Sequence, residues 1–229
     1  GIFGHLQNIA WTNHGPALPE DVALLQANAM LNHQSVVVTH VDKFPYMVNY
    51  HIPKGVRIAD ASRVRLGAYL GEGTTIMPAG FVNFNAGTLG NAMIEGRVSA
   101  GVIVGEDSDV GGGASIMGTL SGGNDHVISV GKKCLLGANS GIGISLGDGC
   151  TVAAGVYVTA GKKVTLLNES NEAVDQNGNA VPAGQNIVKA AELSGADYRL
   201  FIEDSQTGEL ICKPNTKVIQ LNEALHSNA

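Results

Sequence analysis

An aliphatic residue returns at every sixth position through the middle of this chain: Ile58, Val64, Leu70, Ile76 and Val82, then Thr88 as a weak member, then Ile94. The phase slips and resumes at Val98, Val104, Val110 and Ile116. After an interruption it returns at Val130, Leu136 and Ile142, slips again, and runs on through Leu146, Val152, Val158 and Val164. A period of six fits neither a helix, at 3.6 residues per turn, nor a plain alternating strand, at two. It fits a chain that lays down one short strand, turns and repeats, so that each aliphatic side chain points into a prism. Small residues follow many of these positions, as in "LGAYLGEGTTIMPAG", and permit tight corners. The expected fold is mainly β, a left-handed parallel β-helix of hexapeptide repeats, over residues 56–166.

The interruption "TLSGGNDHV", 119–127, carries Gly, Asn and Asp and is expected to leave the coil as a loop. Loops on a rigid solenoid often carry binding groups, and a passive insertion is as good a reading from sequence. Residues 1–55 read as a short α/β segment, the remnant of a larger N-terminal domain. In it "PEDVALLQANAMLNHQ" (19–34) sets Val22, Leu25, Ala29 and Met30 on one helical face. "SVVVTHVDKFPYMVNY" leads as strand and connection into the first coil. Residues 167–229 read as a polar loop and a β-hairpin, "YRLFIEDSQTGELICKPN", placed to cover the open end of the solenoid.

Charged residues make up 15% of the chain, against roughly 25% in an average domain, and the net charge is −6. There is no basic excess to attract nucleic acid or an anionic membrane, and no apolar run long enough to span a bilayer. The cysteines, Cys134, Cys150 and Cys212, are odd in number and far apart, which suits neither a disulfide framework nor a zinc site. A reducing, cytoplasmic setting is the natural expectation.

Solenoids of this kind are most often acyltransferases, which sets only a prior. A coil histidine is the usual general base, because imidazole titrates near working pH. Here only His126 lies within the repeat span, and in the expected loop, where a solvated side chain is the ordinary reading. The same count argues against a carbonic anhydrase on this fold, since a three-histidine zinc site needs more than one. Most carboxylates of the repeat sit in "GEG", "GEDSD" or "GDG" corners, as turn acids do. Glu95 differs, because in "NAMIEGRVSAG" its neighbours are small or apolar. Partial burial would raise its pKa, while Arg97 would lower it or hold an anionic substrate. A structural Glu95–Arg97 pair on the outer face is the competing reading.

"FVNFNAGTLGNAMIEGRVSAGVIVGEDSDVGGGASIMGTLSGG" followed by "VISVGKKCLLGANSGIGISLGDGC" resembles the tetrahydrodipicolinate N-succinyltransferases, in particular their actinobacterial and pseudomonad branch. The resemblance runs from about residue 40 to "KAAELSG" at 189–195, and again at "LNEALH" near the end. It implies transfer of the succinyl group of succinyl-CoA, a co-substrate rather than a bound cofactor, to the amino group of ring-opened tetrahydrodipicolinate. A homotrimer with sites between subunits is implied as well. Glu95 matches the family's functional glutamate, as nucleophile or as general base. Succinyl-CoA contacts are implied for Arg97, Gly112, Ser115, Ala138, Ala153, Ala154, Gly161 and Lys189, and substrate contacts for Asn83 and Asn85. Some relatives hold magnesium with acids in the early coils; Ser62 and Ala79 stand at the matching positions, so no metal is expected. A different acyl donor or acceptor, or a non-catalytic assembly module, are the alternatives.

Overall fold

The hexads become strands only two residues long, because the second residue of each points inward and the chain must turn soon after it. A computed structural model describes residues 2–122 and 125–217. The "LNEALH" segment, His226 and two residues of the 119–127 loop lie outside these. Successive strands pair not with each other but with the third strand along. One face contains Arg57–Ile58, Thr75–Ile76, Met93–Ile94, Asp109–Val110, Leu135–Leu136 and Thr151–Val152, all parallel. The second contains Phe81–Val82, Arg97–Val98, Ser115–Ile116, Gly141–Ile142 and Tyr157–Val158. Tyr69–Leu70, Gly87–Thr88, Ile103–Val104 and Ser129–Val130 make the third. Single bridges, Val64 to Val82 and Val130 to Leu146, complete the second and third faces.

The repeat residues form the core. Val64, Ile76, Val82, Ile94, Val98, Val104, Val110, Ile116, Leu136, Ile142, Val152, Val158 and Val164 are wholly buried. Burying each such side chain contributes about 1.5–3 kcal/mol. Ile58, in the first coil, is only half-buried. Thr88 keeps its place in the apolar stack because its hydroxyl bonds that of buried Thr74 at 2.7 Å. A second inward position precedes each aliphatic residue by two and holds small side chains: Ala86, Ala92, Val102, Ser108, Ala114, Cys134, Cys150. Two cysteines are explained there. The Cys134 thiol donates to the Gly147 carbonyl at 3.0 Å and that of Cys150 to Ala196 at 3.2 Å, so each satisfies a corner carbonyl. Burial pushes the thiol of Cys212, also in the core, up to about 12.

The N-terminal sheet joins Ile9–Thr12 to Gly15–Ala17 and to Val38–Asp42, both antiparallel. The helix spans Val22–Leu31, after a 3₁₀ turn at Pro19–Asp21. Its expected apolar face is not covered: only Ala29 is buried, while Leu25 and Met30 are 40% and 74% exposed. At the other end Arg199–Glu203 and Leu210–Pro214 form an antiparallel hairpin. Its first strand pairs parallel to Thr151–Val152, so it closes the edge of the first face.

Candidate active site

Two corners of the coil are short. Four residues normally separate one strand from the next, as Met77–Gly80 separate Thr75–Ile76 from Phe81–Val82. Between Met93–Ile94 and Arg97–Val98 there are only two, Glu95 and Gly96. The corners in the coils on either side, at Met77–Gly80 and Gly111–Ala114, keep all four residues and project past it. A recess results, with Glu95 at its back. Gly96 is forced at this bend: a Cβ there would stand 2.3 Å from the Ala114 carbonyl oxygen.

The Glu95 main chain is held in the ladder, its N–H donating to Val110 at 2.8 Å. Its side chain is half-buried and makes no hydrogen bond or ion pair among the described residues. Arg97 does not pair with it. The guanidinium lies outside the coil and donates to the Ser115 hydroxyl through Nη2 at 2.6 Å and Nε at 3.2 Å. The pattern follows from position. Ile94 and Val98 point inward, so Arg97 points out along the second face, directly beside Ser115 in the parallel register. The structural Glu95–Arg97 pair is therefore not formed.

Gly112 faces the carboxylate, since a Cβ built on it would lie 3.5 Å from Glu95 Oε2 and near nothing else. Ala138 and Ala154 continue the same edge. Gly113 N–H donates to Glu95 O, Asn139 N–H to Gly112 O and Gly155 N–H to Ala138 O, stacking these corners coil on coil. Ala138 and Ala154 are exposed and Ala153 is half-buried, so the edge is lined with small side chains.

Gly161 and Lys189 lie elsewhere. Gly161 belongs to the following corner, beyond Tyr157–Val158, and Lys189 sits opposite Lys163 in an antiparallel pair beside it. They flank the far side of the second face. The inserted loop leans over that side: Ser121 Oγ accepts from Ala160 N–H at 2.6 Å, and Ser121 N–H donates to Gly143. His126 is an exposed loop residue whose carbonyl accepts from Leu120. Asn83 and Asn85 are in neither place. The Asn83 carbonyl oxygen takes hydrogen bonds from Arg65 at 3.0 Å and from Phe84 N–H, and Asn85 is an exposed corner residue with φ +56°.

An open cavity of about 420 Å³ adjoins the recess, walled by Arg63, Phe81, Gly96, Arg97 and Ser115. Arg63 was not among the residues singled out from the sequence. It stands just where the hexad begins, and only the bridge of Val64 to Val82 puts it on the second face. Its signal was the register itself, one position before an inward Val.

The arrangement is a carboxylate facing Gly112 at a short corner, an adjoining cavity walled by Arg63 and Arg97, and an edge of small residues leading away. Residues 127–160 match the family model described as the hexapeptide repeat of succinyl-transferase, and residues 6–46 match that of the tetrahydrodipicolinate N-succinyltransferase middle region. Those two stretches are thus similar to the succinyl-transferase repeat and to the middle region of that family. Over 228 residues it is 57% identical to proteins of Pseudomonas paraeruginosa and Pseudomonas putida named 2,3,4,5-tetrahydropyridine-2,6-dicarboxylate N-succinyltransferase. A protein of the same name from Vibrio cholerae is 55% identical. All of this chain is matched in each case, and it spans 63% of the length of these relatives. A crystal structure of a Campylobacter jejuni protein named 2,3,4,5-tetrahydropyridine-2-carboxylate N-succinyltransferase superposes with a TM-score of 0.82 at 45% identity, covering 96% of this chain and 58% of that one. Along its whole length the chain is a homologue of proteins bearing that name.

Proposed function

We propose that the chain carries the acyl-transfer centre of a cytoplasmic succinyl-CoA-dependent N-succinyltransferase. Its acceptor is the amino group of ring-opened tetrahydrodipicolinate, 2-amino-6-oxopimelate, on the route to diaminopimelate and lysine. The observation that carries this reading is the half-buried Glu95 carboxylate at the short corner, without a side-chain partner among the described residues. Its full-length similarity to the named relatives supports it.

In the step itself the acceptor amine attacks the thioester carbon of succinyl-CoA. Glu95 takes the proton that the nitrogen loses, and the tetrahedral adduct collapses with its electron pair going to sulfur. CoA leaves as the thiolate and is protonated, which returns Glu95 to its carboxylate. Gly112 leaves room for the thioester beside Glu95. Arg97, steadied by Ser115, faces a carboxylate of the ligands with its planar fork. The arm of CoA runs along Ala138, Ala153 and Ala154, and Gly161 and Lys189 meet it on the other side of the second face. Succinyl-CoA is a substrate here, and no tightly bound cofactor or metal enters the step. Asn83 and Asn85 are weaker candidates for substrate contacts, since Asn83 already accepts from Arg65.

The pairing of every third strand suits a left-handed β-helix over 56–166, with an α/β segment over 1–55 and a capping extension over 167–229. A homotrimer with sites between neighbouring coils would cover the open second face. No helix among the described residues is long and apolar enough to cross a membrane. The decisive assay follows thiol release from succinyl-CoA and from acetyl-CoA with 2-aminopimelate as acceptor. Preference for succinyl-CoA, lost in Glu95→Gln, is the expected result. Equal turnover in Glu95→Gln would sink the role given to Glu95.

A further inference from the structure

We infer that Arg63 and Arg97 form a two-point clamp for a ligand with a carboxylate at each end. Arg63 would be the residue that selects a dicarboxylic over a monocarboxylic acceptor. The inference rests on the acyl-transfer reading for its acceptor, but the geometry is independent of it. Val64 is wholly buried and bridges to Val82, which pairs with Val98. Phe81 and Arg97 stand side by side in the parallel register, and Arg63, at the end of the 3₁₀ turn just before that bridge, joins them on the cavity wall. At about 4.8 Å per strand, the two arginine Cα atoms are about 10 Å apart with Phe81 between them. The half-buried Phe81 ring gives an apolar floor for a carbon chain, and each guanidinium can take a carboxylate through two parallel N–H bonds. Glu95 is one residue from the cavity wall at Gly96, so an amine near one end of such a ligand would lie on its side.

The charges around the cavity agree. Among the described residues its wall contains two guanidiniums and no carboxylate. The nearby Arg65 is already committed, to Asp42 at 2.8 Å and to Asn83. Among the described residues Arg97 is tied only to a neutral hydroxyl. Arg63 makes no salt bridge among the described residues. Its acidic neighbour Asp60 accepts through Oδ1 from Ser62 N–H at 2.8 Å and from Ser62 Oγ at 2.6 Å, and the Arg63 charge acts on it only as the weakest of the causes that lower its pKa. Those two bonds close the 3₁₀ turn Ala61–Arg63 and so fix the base of the Arg63 side chain.

The test measures calorimetric affinity for heptanedioate and for heptanoate in the wild-type chain, in Arg63→Gln and in Arg63→Lys. Melting curves check that each variant is folded. The wild type is expected to bind heptanedioate about tenfold or more tighter than heptanoate, the worth of one charge-assisted carboxylate contact. Arg63→Gln should abolish that preference while leaving heptanoate affinity unchanged, and Arg63→Lys should restore part of it. Equal weakening of both ligands in Arg63→Gln, no change in either, or no binding of either by the wild type would each overturn the clamp. Retained heptanedioate preference in a chain that does not turn over succinyl-CoA would instead sink the acyl-transfer reading and leave the clamp standing.

Discussion

The coil is shortened by two residues at two places, and the two are used in opposite ways. Between Gly141–Ile142 and Leu146 the step is again four instead of six, with Gly143 and Ile144 near the bend. There the inserted loop fills the space: a Cβ on Gly143 would strike Ser121 Oγ at 2.6 Å and Met117 Sδ at 2.9 Å. At the Ile94–Val98 step no inserted segment enters: Gly96 packs against the Ala114 carbonyl of the next coil, and a Cβ on Gly112 across from it would meet only the Glu95 carboxylate. A short corner is therefore not a function in itself. It is a vacancy in the prism edge, and the chain either plugs it or leaves it for a ligand.

Exchanging the properties of the two corners breaks the comparison, and the largest effect is expected at the open one. Glu95→Gln should lower turnover of the acyl-transfer reaction by about 100-fold or more, as loss of a positioned proton acceptor does. The melting temperature should hardly move, since no described partner is lost; stopped-time thiol release and a thermal melt together read this. Gly143→Val at the plugged corner should behave in reverse. It overpacks against Ser121 and Met117, costing about 1–3 kcal/mol in denaturant titration, with kcat unchanged.

Gly112→Val would plug the open recess without overpacking, because only the Glu95 carboxylate lies near its Cβ. A rise of about tenfold in KM for the acyl donor is expected at unchanged stability, since small misplacements at a reacting centre are costly. Unchanged KM would mean that the donor does not pass this corner. Ser121→Ala removes the acceptor of the Ala160 N–H and should cost about 1 kcal/mol in chemical unfolding. Smallest is Ser140→Ala. This buried hydroxyl has no hydrogen-bond partner among the described residues, so its removal should be neutral or stabilise by up to about 1 kcal/mol.

The prism was legible because its inward residues are large and aliphatic at a fixed period. Even the weak member Thr88 stays in phase, rescued by a hydroxyl partner no pattern reveals. The second inward position escaped notice, since Ala, Ser and Cys at Ala92, Ser108 and Cys134 carry little hydrophobic signal. The helix was legible as a helix but its contacts were not. A stripe of Leu25 and Met30 says that a face is apolar, never that something covers it. At the site, Glu95 stood out by its neighbours, and the slip that makes its recess was visible as a broken count. What a missing pair of residues does to an edge is geometry, and so is the register that aligns Arg63 with Arg97.

In a coil where each turn touches only its neighbours, loss of structure starts at the ends and works inward. The first turn is the less buried end, with Ile58 half-buried, whereas the hairpin of Arg199–Pro214 pairs along the edge of the other end. The short corner at Glu95 is an interior turn with intact coils on both sides. Its backbone amides should be among the slowest to exchange with deuterium, and the shape of the recess should persist while the N-terminal turn frays.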